Sequence, residues 1–302
     1  MTARITVVGS ANMDLVVRTP RMPAPGETLL GGPFATFPGG KGANQAVAAA
    51  RLGAAVTMLG AIGADDFGEA LRASMEASGV RACLVQTTTP TGVALIAIDA
   101  AGENTIVVAP GANAMLDEVA IEAQRESLAA DVLVAQLEVP VATIATAARL
   151  ARARGTRVLL NAAPALPLPD QLLALVDILV VNRGEACALV GASSDTAPER
   201  VAQALRARGP RLVIVTLGAD GALAHGAEGT FAHRGFRVDV VDTVAAGDAF
   251  VAALAVALGE GTPLVDALRF ANAAGALATT RSGAQSSLPK RSEVAALLAS
   301  QR

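Results

Sequence analysis

The stretch Asp242-Thr243-Val244-Ala245-Ala246-Gly247-Asp248-Ala249-Phe250 is the most informative segment of this 302-residue chain. An apolar run at 236–241 precedes it and predicts a strand, and a second apolar run at 250–258 follows it and predicts a helix. The small residues at the turn leave backbone N–H groups unpaired where the helix begins, and the helix dipole adds partial positive charge there. The stretch therefore predicts an anion site at the start of a helix.

Asp248 falls in the first turn of that helix, beside the predicted anion. A carboxylate next to a site for negative charge is unusual for simple binding. It fits a general base that takes the proton from a hydroxyl group while that hydroxyl attacks a phosphoryl group. The alternative is an N-cap aspartate on an ordinary buried helix.

The composition excludes several classes of protein. Hydrophobic residues make up 52% and charged residues 17%, as in a globular chain. A net charge of -3, with seven Phe and no Trp or Tyr, argues against nucleic acid or an anionic membrane surface as the partner. The two cysteines and two histidines show no metal-ligand spacing. The chain shows no signal-peptide pattern and no apolar run of membrane-spanning length, so we expect a soluble cytoplasmic protein.

Short β-rich runs alternate with Ala-rich helical runs along the chain. The predicted strands are 5–8, 56–62, 131–137, 157–160, 177–181 and 211–216. The predicted helices are 43–52, 67–78, 141–154, 198–208, 248–258, 263–280 and 292–300. Strands this apolar are covered on both faces, and the helices between them supply the crossovers. The predicted fold class is α/β, with a doubly wound, mostly parallel sheet flanked by helices.

Two segments interrupt this alternation. Residues 13–38 are rich in Pro and Gly, and residues 91–109 predict a hairpin whose two strands flank a turn at 99–104. Together they predict a small β-sheet outside the main sheet, and long connections of this kind are often lids. An ordinary surface excursion is the alternative. We predict a single domain over residues 1–302 that contains these two lid segments, and a homodimer formed through the lid, because unpaired strand edges favour pairing.

Polar or glycine residues follow the predicted strands at the carboxyl ends. They are Asn12, Asp14, Glu138, Asn161, Asn182, Glu185, Thr216, Gly218, Asp220 and Gly221, in addition to the 242–248 turn. Ligands of open α/β sheets bind outside the carboxyl ends of the strands. Loops are polar in general, but six such clusters at one edge predict a shared cleft.

The motif Gly39-Gly40-Lys41-Gly42-Ala43-Asn44-Gln45 precedes a predicted helix. Its glycines allow a ligand to approach the backbone closely, while Lys41 and Asn44 offer a charge and an amide to a polyhydroxylated molecule or a phosphate. No Ser or Thr follows Lys41, so the motif is not a Walker loop, and the chain lacks the Gly-x-Gly-x-x-Gly of dinucleotide-binding folds. The alternative is a plain tight turn with a solvated lysine.

In the segment Asn182-Arg183-Gly184-Glu185, an amide and a carboxylate stand three residues apart. If the segment is helical, the two side chains lie one turn apart and can organise Mg²⁺ through its water molecules. The alternative is that they cap the helix that follows.

These motifs, in this order, resemble the ribokinase-like (PfkB) carbohydrate kinases over nearly the whole chain. Residues 39–46 and 242–248 resemble the two family signatures. Residues 7–14, 102–105, 110–113, 136–138 and 281–285 resemble the branch of the family that acts on D-ribose. The resemblance implies transfer of a phosphoryl group from ATP to the 5-hydroxyl of D-ribose. A kinase for another small sugar such as 2-deoxyribose, and a non-catalytic sugar sensor on the same fold, remain the alternatives.

The resemblance also implies a role for particular residues. Asp248 matches the catalytic base, and Ala245, Ala246 and Gly247 match the anion hole. The residues that match sugar contacts are Asn12, Asp14, Gly40, Lys41, Asn44, Glu138 and Asp248. Those that match nucleotide contacts are Asn182, Thr216, Gly218, Ala219, Asp220, Gly221, Gly247 and Asn272. Those that match a site for an activating K⁺ are Asp242, Val244, Ala278, Arg281, Gly283 and Ser287. Glu185 is implied to hold Mg²⁺ through water.

Overall fold

The structure is a computed structural model that describes residues 1–301. The strands β1 to β13 are Arg4–Val8, Asn12–Arg18, Phe34–Gly39, Ala55–Gly63, Arg81–Thr87, Gly92–Ile98, Asn104–Ala109, Val132–Gln136, Arg157–Asn161, Ile178–Asn182, Leu212–Thr216, Ala222–Gly226 and Gly229–His233. The helices α1 to α10 are Lys41–Arg51, Asp66–Ala77, Glu118–Ala123, Val141–Arg152, Asp170–Leu173, Arg183–Val190, Pro198–Arg206, Ala246–Gly259, Leu264–Ala278 and Arg291–Ser300.

The main sheet has nine strands in the order β13-β12-β11-β10-β9-β8-β1-β4-β5. The seven strands from β11 to β5 run parallel to their neighbours, and only β12 and β13 at one edge run antiparallel. The strand order reverses direction beside β1, because the chain first builds outward through β4 and β5 and later through β8 to β11. The predicted doubly wound α/β fold is confirmed.

Successive side chains of the central strands enter two separate cores. Val7 packs into the core on the side of α1, α8 and α9, while its neighbour Val8 packs into the core on the side of α4 and α7. Both side chains are fully buried. Each such side chain contributes roughly 1.5–3 kcal/mol by leaving water. A strand with two buried faces has no polar alternation, which is why these strands read as continuous apolar runs.

A second sheet has four strands in the order β3-β2-β6-β7 and is built from the two segments that interrupted the alternation. β2 pairs parallel with β6, and antiparallel strands β3 and β7 complete the two edges. The predicted small β-sheet outside the main sheet is confirmed, including the hairpin of β6 and β7. The extent of the single domain and of the lid segments within it stays a prediction.

The prediction of a strand at 236–241 is wrong. This segment joins no sheet, because β13 already forms the edge and the segment lies against a helix end instead. The amides of Val241 and Asp242 both donate to the carbonyl of Thr279. Strands β5, β12 and β13 were not predicted, since they are edge or near-edge strands with weaker apolar patterns.

No helix within residues 1–301 is both long enough and apolar enough to span a membrane. The cytoplasmic location stays a prediction.

Candidate active site

The carboxylate of Asp248 lies in the first turn of α8 and is only 7% exposed. The N-cap of α8 is Ala245, so Asp248 does not cap the helix. Its two oxygens instead accept hydrogen bonds from two side chains of α1. Asn44 Nδ2 donates to Oδ2 over 3.0 Å, and Gln45 Nε2 donates to Oδ1 over 2.9 Å. The carboxylate is therefore fixed in position between the N-terminal turns of two helices.

Burial raises the pKa of Asp248, because a charged carboxylate is poorly solvated among the apolar residues of α8. Lys41 and the two amide hydrogen bonds oppose the rise, and the negative charge of Glu138 adds to it. A carboxylate whose pKa lies above its usual range is a better proton acceptor at neutral pH.

The turn before α8 presents amide groups to the cleft. Ala245 has φ of 60°, the left-handed conformation, which costs a residue with a Cβ about 1–2 kcal/mol. The amide of Ala246, which was predicted to belong to the anion hole, instead donates to the carbonyl of Thr243 over 3.3 Å. The amides of Ala245, Gly247 and Asp248 donate to no acceptor within residues 1–301. Unpaired N–H groups at a helix N-terminus suit an anion.

Asp14 and Asn12 project from β2, the lid strand that continues from the first strand of the main sheet. Both are buried. Asp14 accepts no side-chain hydrogen bond within residues 1–301, so its oxygens are available to a ligand. Asn113 Nδ2 donates to Asn12 Oδ1 over 2.7 Å. That bond fixes the orientation of the Asn12 amide and leaves its NH₂ group as a donor.

The carboxyl groups of Asp14, Glu138 and Asp248 are close enough to repel one another. Burial, followed by the charges of Glu138 and Asp248, raises the pKa of Asp14 to about 7. Glu138 Oε2 accepts hydrogen bonds from Ser10 Oγ at 2.5 Å and from the Lys41 amide at 3.2 Å. The three acids thus line one polar cluster beside α1.

The positive charge of the Lys41 side chain offsets part of this negative charge. Burial alone would lower the pKa of its ammonium group, but the carboxylates of Asp248, Glu138 and Glu185 raise it overall. Lys41 therefore stays protonated at neutral pH and places a positive charge beside these three acids.

Two glycines let α1 approach the loop after β1. Gly40 has φ of 87°, and a Cβ there would lie 2.6 Å from the amide nitrogen of Asn12. A Cβ at Gly42 would lie 2.6 Å from the amide nitrogen of Ser10. A side chain at either position would push α1, and with it Lys41 and Asn44, away from the cleft.

Two adjoining cavities meet at the start of α8. The smaller, about 240 Å³, is lined by residues that include Lys41, Asn182, Glu185 and Asp248. The larger, about 870 Å³, has a wall formed by residues 216–221, 234–240 and α9. Thr216, Thr243 and Gly247 line both. The predicted nucleotide residues that line the larger cavity are Thr216, Gly218, Ala219, Asp220, Gly221, Gly247 and Asn272.

Asn182 and Glu185 form a capping box at the start of α6. Asn182 Oδ1 accepts from the Glu185 amide, and Glu185 Oε2 accepts from the Asn182 amide, each over 2.8 Å. Burial, with a contribution from Asp248, raises the pKa of Glu185, while the Asn182 amide and Lys41 oppose the rise. The pair therefore caps a helix and also lines the smaller cavity, so the two interpretations of this motif are compatible.

Two of the predicted cation residues, Val244 and Gly283, contact a third, Asp242. Its carboxylate accepts from the amides of Val244 over 3.0 Å and Gly283 over 2.9 Å, which joins the loop before α8 to the loop after α9. Ala278 ends α9, and Ser287 is fully buried in the second loop. The guanidinium of Arg281 forms an ion pair with Glu293, so its backbone is what remains for a cation.

Sequence reasoning missed several residues that complete the site. Gln45 bonds to Asp248, Asn113 orients Asn12, Ser10 bonds to Glu138, and Thr243 lines both cavities. Gln45 and Asn113 lie within quoted motifs, but a single sequence does not show which side chain of a motif points into the protein. Their burial as polar residues was the missing signal.

The chain matches the pfkB family of carbohydrate kinases over residues 2–291 and belongs to that family. It is thus a phosphotransferase that acts on an alcohol group. It is 39% identical over 298 residues to a ribokinase of Haemophilus influenzae, covering 97% of each chain. A deoxyribokinase of Salmonella typhimurium is 37% identical over 291 residues, covering 94% of this chain and 95% of the relative. The structure of Arabidopsis thaliana ribokinase complexed with ribose and ATP superposes with a TM-score of 0.91, at 33% identity and 99% coverage of both chains.

Proposed function

We propose that this protein transfers the γ-phosphoryl group of ATP to the 5-hydroxyl of D-ribose, giving D-ribose 5-phosphate and ADP. The observation that carries the proposal is the position of Asp248. Its carboxylate lies between a cluster of sugar-type hydrogen-bonding groups and a nucleotide-sized cavity, where unpaired amides begin α8. The similarity to the ribokinases of Haemophilus influenzae and Arabidopsis thaliana supports ribose as the substrate.

The polar groups suit a molecule with several hydroxyls. Asn44 Oδ1 is buried without a hydrogen-bond partner within residues 1–301, and Asp14 likewise lacks one, so both can accept from sugar hydroxyls. The NH₂ group of Asn12 and the ammonium of Lys41 can donate. A buried acceptor without a partner costs about 1–3 kcal/mol, which a bound sugar would recover.

In the reaction we propose, Asp248 accepts the proton of the 5-hydroxyl as that oxygen attacks the γ-phosphorus. The bond from the γ-phosphorus to the β–γ bridging oxygen of ATP breaks, and ADP leaves with the bond electrons. The amides of Ala245, Gly247 and Asp248 and the Lys41 ammonium face the developing negative charge. The lid keeps water, a competing nucleophile, away from the γ-phosphate.

The same site fits two cations. K⁺ prefers hard oxygen ligands. The Asp242 carboxylate and the backbone carbonyls of the 242–244 and 281–287 loops would supply them, and a bound K⁺ would stiffen the anion hole. Glu185, with one carboxylate oxygen outside the capping box, would hold Mg²⁺ through water. Within residues 1–301 no three His, Cys, Asp or Glu side chains form a metal cluster, so most Mg²⁺ ligands would come from the triphosphate and water. Mg²⁺ would supply charge neutralisation on the phosphates.

We also propose a homodimer that forms through the lid sheet. The register of β2, β3, β6 and β7 puts Phe37, Ile106 and Val108 on the sheet face that carries Asp14, and all three are exposed. Leu95 and Val107 are exposed on the other face. An apolar sheet with this much exposed surface is typical of a contact surface.

A panel of substrates tests the proposal. ADP release is measured with ribose, 2-deoxyribose, fructose and adenosine, each in K⁺ and in Na⁺, and the product is identified as a 5-phosphate by phosphorus NMR. We expect ribose to give the highest kcat/KM. Deoxyribose lacks one hydroxyl and leaves one buried acceptor unpaired, and a site built for hydrogen bonds rejects such an analogue strongly. A higher kcat/KM with deoxyribose would contradict ribose as the preferred substrate and would favour deoxyribose, in line with the deoxyribokinase of Salmonella typhimurium.

A further inference from the structure

Behind Asp248 lies a chain of buried amide side chains, of which Asn161 lines the smaller cavity while Gln45 and Gln136 line neither. Gln45 is 1% exposed and Gln136 is fully buried. Gln45 Nε2 donates to Asp248 Oδ1 over 2.9 Å and to Asn161 Oδ1 over 3.0 Å. Gln136 Nε2 donates to Gln45 Oε1 over 2.6 Å. Gln45 is absent from the lining of the cavity that Asp248 faces.

The orientation of the Gln45 amide is set by its hydrogen bonds to Gln136 and Asn161. Because Gln45 Oε1 accepts from Gln136, the NH₂ group of Gln45 must point toward Asp248 and Asn161. Asn161 Nδ2 donates to the carbonyl of Val180 over 3.2 Å, so its Oδ1 is the atom that faces Gln45. Both N–H bonds of Gln45 are therefore directed at acceptors, and a flipped amide would place two oxygens against each other.

We propose that Gln45 is a positioning residue for the general base: through an amide orientation imposed by Gln136 and Asn161, it holds Asp248 Oδ1 and leaves Oδ2 directed at the substrate hydroxyl. This inference rests on the proposed function of Asp248. It assigns different tasks to the side-chain amides of Asn44 and Gln45, which both lie on α1.

Asn44 and Gln45 are neighbours in sequence, yet only one can contact the sugar. Asn44 has a second polar atom, Oδ1, without a partner within residues 1–301, and it can serve the sugar as well as Asp248. Both polar atoms of Gln45 are committed to buried protein atoms. Its hydrogen bond to Asp248 therefore persists whether or not the sugar is bound.

The charge around Asp248 makes this bond matter for proton transfer. The ionisable groups that face it are Lys41 on α1, Glu138 after β8, Glu185 on α6 and Asp14 on β2. Three of these four are acids that disfavour the ionised form of Asp248. Gln45 donates a hydrogen bond to the ionised carboxylate of Asp248 from the side away from the ligand. The bond therefore favours the ionised form of Asp248, which is the form able to accept a proton.

The test compares Gln45→Glu and Gln45→Met with the wild type. In Gln45→Glu an oxygen replaces the donor, so like charge or a shared proton raises the pKa of Asp248, and we expect the acid limb of the kcat–pH profile to move to higher pH. In Gln45→Met the hydrogen bond to a charged group is lost, and we expect kcat at neutral pH to fall about 10- to 100-fold. Ribose Kd, measured by calorimetry, should stay at the wild-type value in both.

The matched control is Gln203→Glu, which makes the same chemical change at an exposed position on α7. It should leave kcat and the pH profile unchanged. A second variant, Gln136→Met, removes the donor that orients Gln45 without touching Asp248, and we expect a smaller fall in kcat with ribose Kd retained. Melting curves and ribose binding identify the folded variants.

The proposal is overturned if folded Gln45→Glu and Gln45→Met keep the wild-type kcat and pH profile, or if they change only the ribose KM. If Gln45 variants do not fold, Gln136→Met decides in the same way. Failure of the proposed function has a different signature, because the wild-type protein would then release no ADP with ribose at any pH.

Discussion

Asn44 Nδ2 lies 3.0 Å from Asp248 Oδ2, a hydrogen bond that joins the first turns of α1 and α8 beside the bond from Gln45. The two residues are 204 positions apart in the chain. The bond engages the NH₂ group of Asn44 and leaves Asn44 Oδ1 without a partner within residues 1–301, available to the proposed sugar. The two family signatures thus meet at the Asp248 carboxylate, where Asn44 and Gln45 both bind it.

Asp248→Asn should remove most turnover and keep sugar binding. The amide has the size of the carboxylate but cannot accept the hydroxyl proton, so we expect kcat to fall roughly 10²–10⁴-fold, the usual contribution of a general base. Steady-state kinetics and ribose calorimetry measure the two effects. The control is Asp266→Asn, an exposed aspartate in the first turn of α9. Turnover near the wild-type rate in Asp248→Asn would remove Asp248 from the role of base.

Ribose binding should tighten as pH rises through about 7. Burial and the neighbouring charges of Glu138 and Asp248 raise the pKa of Asp14 to about 7, and only its ionised form accepts hydrogen bonds with both oxygens. Binding below that pH should therefore release a proton. Calorimetry in buffers of different ionisation enthalpy measures this release. Asp14→Asn should bind ribose weakly and without this proton release, and an unchanged pH dependence in that variant would contradict the assignment.

The same group should make the free protein less stable as pH rises from about 4 to about 7. Between its ordinary pKa of 3.8 and its raised pKa of about 7, Asp14 is protonated in the folded state and ionised in the unfolded state. The folded state then binds more protons, so the free energy of unfolding falls with rising pH across this window. Urea unfolding of the wild type and Asp14→Asn at several pH values isolates this contribution. The variant should lack the part of the slope that belongs to Asp14.

Potassium should activate the enzyme, and Asp242→Asn should reduce the activation. Asp242 joins the loops of Val244 and Gly283 with its two oxygens, and an amide retains only one of these acceptors and carries no charge. The measurement is kcat as a function of K⁺ concentration, with Na⁺ at matched ionic strength. Asp195→Asn, at an exposed aspartate before α7, is the control. Equal rates in the two salts would count against a K⁺ site.

Ile106→Asp should shift a dimer toward monomer. Ile106 is 48% exposed on the lid face that carries Asp14, and burying a carboxylate in an apolar contact is unfavourable. Sedimentation velocity over a range of concentrations measures the change. Val119→Asp, at a 74% exposed position on α3, is the matched control and should not alter the mass. A monomeric wild-type protein would exclude the dimer directly.

Much of the architecture could be predicted from local pattern. The continuous apolar runs of β1 and β8 indicated strands buried on both faces, and the Gly- and Pro-rich interruption at 13–38 indicated a separate element. The run at 236–241 misled because apolar β-type residues also suit an extended segment that lines a cavity, and pairing depends on which neighbour is available. Edge strands such as β13 carry weak patterns, since one side of them lies in water.

By itself, the sequence determined the alternation of strands and helices in most of the main sheet, the small-residue turns before α1 and α8, and the acid at the beginning of α8, because these depend on residues near one another in the chain. Only the tertiary structure decided that Gln45 faces Asp248 while Asn44 Oδ1 has no partner within residues 1–301, that Asn113 orients Asn12, and that Asp14 shares its surroundings with two other acids. The reason is physical. Hydrogen-bond direction and the pKa of a buried carboxyl group depend on distances between residues far apart in sequence, and packing sets those distances.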